Sequence, residues 1–367
     1  MPSTTVKAEP LKDRARVNEM LLALEHKINF HELREVLKRN DLATAVGWKQ
    51  LIEKIESGTM DSANAFHAVL LKVHNDLVLA GSKDAQVFVL TPEDCEQIAI
   101  FFSSIEPVAS AFRAAFPLAA NSTQLRASGP ELLLTHKVTH QNGDISLIFC
   151  ACRTEIDREH FSLGQVTEAV RNSFQGYEEF IAIKKNEYQI FDVITIRKSL
   201  NRLEILVDHP EKIREPETVE DRGLALFAAL HGQSPAIDAL YNQNTPVNLF
   251  PCINSLYSNF REGRVQRLSF RAPSKSLKRE TVSSDDDLRK EPFHEAGIKA
   301  VGTITPYDVT IVWDSFINAS SGASVRIQAP VGSLSVEGSF VRSARISSAK
   351  DDAAIVSVIN KLVSYST

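Results

Sequence analysis

The 367 residues are 43% apolar and 24% charged and carry a net charge of -5. This length exceeds what one hydrophobic core usually serves, and the composition excludes a chain that is disordered throughout. The acidic balance excludes attraction of the whole surface to nucleic acid or to anionic membrane and leaves that role only to a local patch.

No uncharged run reaches the length of a membrane span, and the segment from Met1 to Arg16 has no apolar signal core. A cytoplasmic protein that does not enter the membrane is expected. Cys95, Cys150, Cys152 and Cys252 contain no CxxC pair, so they are read as reduced, packed thiols. The sequons at Asn121 and Asn318 would matter only in the secretory pathway.

In chain order, residues 1–81 read as a helical bundle. Val17, Leu21, Leu24 and Ile28 fall on one face, and Asn29 with Glu32 forms a capping-box pattern that starts a second helix. A third helix is expected from Ala45 to Ser57, and a fourth carries Phe66, Leu70, Val73 and Leu77 on one stripe, flanked by His67 and His74.

Residues 82–210 read as an α+β domain. Thr91, Pro92 and Asp94 signal a helix start, and a hairpin over 131–140 and 144–152 turns at Asn142-Gly143. A helix capped by Ser162 and Gln165 should reach Gly176, and strands 187–196 and 202–208 form a second hairpin. Residues 211–260 read as a helical connector. Residues 261–367 read as an antiparallel β module, interrupted by a mobile loop from Ser274 to Glu291 and closed by a helix over Ala353–Val363. The fold class is therefore α+β.

The signatures of phosphate loops, dinucleotide sites, serine hydrolases, zincins, EF-hands and paired-cysteine zinc sites are missing from the sequence. Asp192 is the candidate acid/base or metal-binding carboxylate. It sits mid-strand among Tyr188, Ile190, Ile194 and Ile196, opposite Val207, where an ionised carboxylate needs a partner. An arginine or a backbone amide would serve that need without any catalysis. Glu204 and Asp208 should project from the other face of the same hairpin.

His136 and His140 share a strand face and are candidate metal ligands, although no third ligand is close in sequence. The Asn142-Gly143 turn predicts that they face Phe149 and Ile145. Cys150 and Cys152 would then point the other way, which excludes a His2Cys2 site.

Arg261, Arg264, Arg267, Arg271, Lys275, Lys278 and Arg279 form a basic strip with Glu262 as its only acid. Arg267 and Arg271 should share a strand face. Such a strip suits nucleic-acid backbone contacts, and equally a solvated edge strand. Asp285, Asp286 and Asp287 could fold back on it. The resulting expectation is a regulatory or scaffold protein that needs no cofactor, contacts a protein partner or a second copy of itself, and offers a nucleic-acid-backbone surface. A metal-dependent nuclease or phosphotransferase using Asp192, and a DNA-binding regulator using the N-terminal helices, are the alternatives.

Overall fold

The computed structural model describes residues 11–25, 27–58, 63–162, 164–174, 176–209, 218–282, 286–313, 323–336 and 338–366. The chain opens with helices α1 (Leu11–Glu25), α2 (Phe30–Arg39), α3 (Trp48–Glu56) and α4 (Ala63–Leu79). The Asn29–Glu32 capping box forms, each side chain accepting from the other residue's backbone N–H. Val17, Leu21, Leu24, Leu33, Leu37, Leu51, Phe66 and Leu70 bury together as one apolar cluster shared by the four helices. Lys27, in the turn after α1, places its ammonium 5.1 Å from the centre of the Phe191 ring, joining this region to the sheet.

Gly81, with φ 74, turns the chain from α4 into β1 (Gly81–Val89). Then follow α5 (Pro92–Ser104), α6 (Ala111–Ala115), α7 (Ser122–Ser128), β2 (Leu133–Thr139), β3 (Ile145–Ser162), α8 (Glu168–Ser173), β4 (Glu179–Arg197) and β5 (Arg202–Asp208). The second half contains α9 (Val219–Leu230), α10 (Pro235–Gln243), α11 (Phe250–Ser258), β6 (Arg264–Arg271), β7 (Leu277–Thr281) and α12 (Pro292–Val301). It ends with β8 (Thr305–Val312), β9 (Ser324–Gln328), β10 (Ala344–Ala349) and α13 (Asp352–Tyr365). The fold is mixed α+β.

The strands make one ten-stranded antiparallel sheet in the order β2-β3-β4-β5-β1-β10-β9-β8-β6-β7. Segments 82–210 and 261–367 therefore contribute to a single sheet, joined where β1 pairs with β10. One face, through Phe88, Phe149, Ile194, Ile205 and Val207, packs on α5, α9 and α10. The opposite face, through Val193, Leu206, Val309, Ile327 and Ile346, packs on α11 and α13.

Several sequence expectations change. The β2–β3 turn spans three residues, with Gly143 at φ 84 and the His140 N–H donating to Asp144 O at 2.9 Å. His136 thereby pairs with Ile148, one residue from the expected register, and shares its face with Cys150. A one-residue slip moves every side chain to the other face, so the argument that separated the histidines from the cysteines fails.

Ser162 and Gln165 close the end of β3, and the helix expected from them starts only at Glu168, after Thr167. Within the expected mobile loop, 277–281 is a strand paired with β6, and Leu288 and Arg289 are buried. Within the expected β module, Val331–Ser335 forms a short 3-10 turn that carries Leu334.

Candidate nucleic-acid interface

The strands β10, β9, β8 and β6 bury one face, and alternation sends the intervening side chains to the other; β7, at the sheet edge, buries neither. Register pairs cross the sheet as Asp84↔Arg345, Arg345↔Arg326, Arg326↔Thr310 and Thr310↔Arg267, which sets three arginines in a transverse row. Neighbouring strands lie about 4.8 Å apart, so Arg326 and Arg345 are direct cross-strand neighbours and their like charges need compensation.

Buried carboxylates supply it. Asp308 accepts from Arg267 Nε at 3.2 Å and from Arg326 Nε and Nη2 at 2.9 and 3.0 Å. Asp84 accepts from Arg345 Nε at 3.2 Å and lies 3.0 Å from His209 Nδ1. Burial opposes ionisation of Asp84, but His209 and Arg345 outweigh it and hold the carboxyl below its ordinary range. The guanidinium groups are anchored from beneath and stay partly open, with side-chain exposures of 26% for Arg267, 27% for Arg326 and 38% for Arg345.

The basic strip divides in a way that the charge pattern alone did not reveal. Arg267, Arg271 and Arg279 share the open face, because they pair in phase with Thr281, Leu277 and Ser269. Arg264 joins them opposite Val312. Lys278 pairs with Phe270 and projects from the opposite face, and Lys275 sits in the β6–β7 turn at φ 66. Arg271 also donates to Leu334 O at 3.1 Å, and Arg261 lies in the loop before β6.

Arg326 and Arg345 were not among the sequence candidates. Val325 and Ile327 point inward, so alternation alone could have marked Arg326 as outward, whereas Arg345 needed knowledge of β10. Of the acidic run, Asp286 O accepts from Arg264 Nη1 at 3.4 Å, whereas the Asp287 carboxylate is held by Arg289 and the Val265 N–H. Asp285 lies outside the described residues.

Asp192 packs under α9. Arg222 Nη2 and Nε donate to its two carboxylate oxygens, the latter at 3.3 Å, and the Asp208 N–H donates at 2.8 Å. Burial pushes the Asp192 carboxyl up, against the pull of Arg222 and that amide. Glu204 binds Arg197 and Arg202 on the other face, and Asp208 binds the fully buried Lys83 at 3.0 Å. The three carboxylates are held by different cations, Arg222 for Asp192, Arg197 and Arg202 for Glu204, and Lys83 for Asp208, and share none.

His136 stacks on Phe116 at 4.2 Å. His140 Nε2 lies 2.8 Å from Ser146 Oγ, and its Nδ1 lies 3.6 Å from Asp352. This carboxylate–imidazole–hydroxyl order resembles a nucleophile relay, but Ser146 is fully buried and shares its hydroxyl with Thr195 at 2.7 Å. Asp352 is itself held by Arg197 at 2.6 Å. Among the described residues no group of three or more His, Cys, Asp or Glu side chains is placed to hold a metal. Within the same residues no helix is long and apolar enough to cross a membrane.

No protein-family model matches the chain, and no curated protein sequence matches it significantly.

Proposed function

We propose that this is a regulatory or scaffold protein that holds a polyanion, best matched by a nucleic-acid backbone, on the open face of β10-β9-β8-β6-β7. Helices α1 to α4 act as a protein-contact unit in this reading. The observation that carries it is the gathering of Arg264, Arg267, Arg271, Arg279, Arg326 and Arg345 on one face, with the buried carboxylates of Asp84 and Asp308 anchoring three of them. Guanidinium groups present planar paired donors suited to phosphate oxygens. Phosphate contacts from such a face position a backbone and do not read bases, so binding is expected to be indifferent to sequence and to fall with salt.

The test is fluorescence anisotropy with labelled single- and double-stranded DNA and RNA across a salt series. Arg279→Ala is expected to weaken binding and to lower the salt slope by about one on duplex DNA. Lys278→Ala, its neighbour on the opposite face, is expected to leave both unchanged. Absence of salt-sensitive binding, or equal losses from the two variants, overturns the assignment.

A further inference from the structure

Strands β3 and β4 continue well beyond the sheet. β2 stops pairing at Cys150 and β5 stops at Val193, yet β3 and β4 stay in one unbroken register out to Ser162↔Glu179. The base of this arm is braced by α7, where Arg126 Nε meets Glu187 at 2.9 Å. From Ile156↔Lys185 to the tip the arm reaches about 20 Å at the usual rise per strand residue.

One face of that arm carries three uncovered isoleucines among polar side chains. Register places Ile156, Ile183 and Ile181 on the same face, with exposures of 51%, 61% and 51%. Three large aliphatic side chains left in water on a two-stranded ribbon with open edges are an association surface rather than a scattered surface feature.

We propose that this face packs against the same face of a second copy of this chain, with the two arms antiparallel about a two-fold axis. Along the face, successive rows are Ile156/Lys185, Arg158/Ile183, His160/Ile181 and Ser162/Glu179. An axis between the two middle rows lays Ile183 against Ile181 of the second copy and sets Lys185 opposite Glu179, twice by symmetry. That opposition of unlike charges at equal distances from one centre is what a self-complementary interface requires. His160 Nδ1, 2.7 Å from Glu179 Oε1, keeps the carboxylate on this face. The inference is independent of the polyanion reading. The arm alone offers less than the roughly 800 Å² per partner of a standard interface, which places this dimer in the weak, transient class.

Sedimentation velocity of the full chain from about 1 to 100 µM tests this. The wild type is expected to pass from monomer to dimer across that range, and Ile181→Asp/Ile183→Asp to stay monomeric with unchanged circular dichroism. Lys185→Glu should weaken dimerisation by about tenfold, since it replaces two attractions with two repulsions. Adding Glu179→Lys to Lys185→Glu should restore it. A wild type that remains monomeric, a dimer that survives the isoleucine changes, or a charge swap that fails to restore association each overturns the proposal.

Discussion

Arg222 of α9 reaches through the apolar layer beneath it and grips both carboxylate oxygens of Asp192 on β4. Both side chains are almost fully buried, with exposures of 2% and 1%. Breaking a buried pair strands the remaining charge, so Asp192→Ala or Arg222→Ala should each cost about 3 to 5 kcal/mol. Replacing both together with Asp192→Leu and Arg222→Met should cost less than either single change. Urea unfolding of the three variants checks this. If Asp192→Asn abolished a catalytic activity at unchanged stability, the structural role would be wrong.

All four cysteines are buried and free, and burial raises each thiol. Cys150 and Cys252 are pushed up to about 12. The thiolate is the reactive form, so iodoacetamide at pH 8 should leave the native protein essentially unlabelled and modify every cysteine after unfolding. Mass spectrometry of the two samples reads the difference. Rapid native labelling of Cys150 would show an access route to the sheet interior.

Local signals were legible and long-range ones were not. Thr91 caps α5 through the Asp94 N–H at 3.1 Å as its side chain predicts, and the β4–β5 pairing runs to Val193↔Leu206, one step short of the expected Asp192–Val207 pair but in the same register. The β2–β3 hairpin differs by one residue from the two-residue turn that Asn142-Gly143 predicts, because the turn takes in Gln141 as well, and a further bulge lies between Leu134 and His136. The arginine row was illegible because Arg326 meets Arg345 only when β10 inserts between β1 and β9. Arg222 for Asp192, Asp352 for Arg197 and Asp208 for Lys83 lie 30, 155 and 125 residues away in the chain, beyond any periodicity.

Arg289 shows why the segment after β7 is held in place. Its guanidinium donates to Asn259 O at 2.7 Å and Gly263 O at 2.6 Å, and it grips Asp287 at 2.7 Å. It thereby ties the loop between α11 and β6 to the segment after β7. Arg289→Ala should cost about 3 to 5 kcal/mol, because it leaves Asp287 without its cation. Arg289→Lys should recover little, since a point ammonium cannot span those acceptors. Thermal unfolding distinguishes these outcomes from a loose loop, in which neither change would matter.

His74 on α4 is fully buried, and its Nε2–H donates to the Met20 carbonyl of α1 at 2.9 Å. Burial lowers the imidazole to about 4, despite that hydrogen bond. An unfolded histidine titrates near 6.5, so between about pH 6.5 and 4 the unfolded chain binds the proton that the folded chain refuses. The contribution is fully present above pH 6.5 and is lost as pH falls toward 4, a difference on the order of 3 kcal/mol. His74→Gln keeps a donor for Met20 O but cannot take up the proton. Its stability should therefore change less than that of the wild type across the same window, whatever the offset at neutral pH. Denaturant unfolding at several pH values measures the two slopes. Parallel slopes would mean that His74 already accepts its proton in the folded protein, by an opening between α1 and α4.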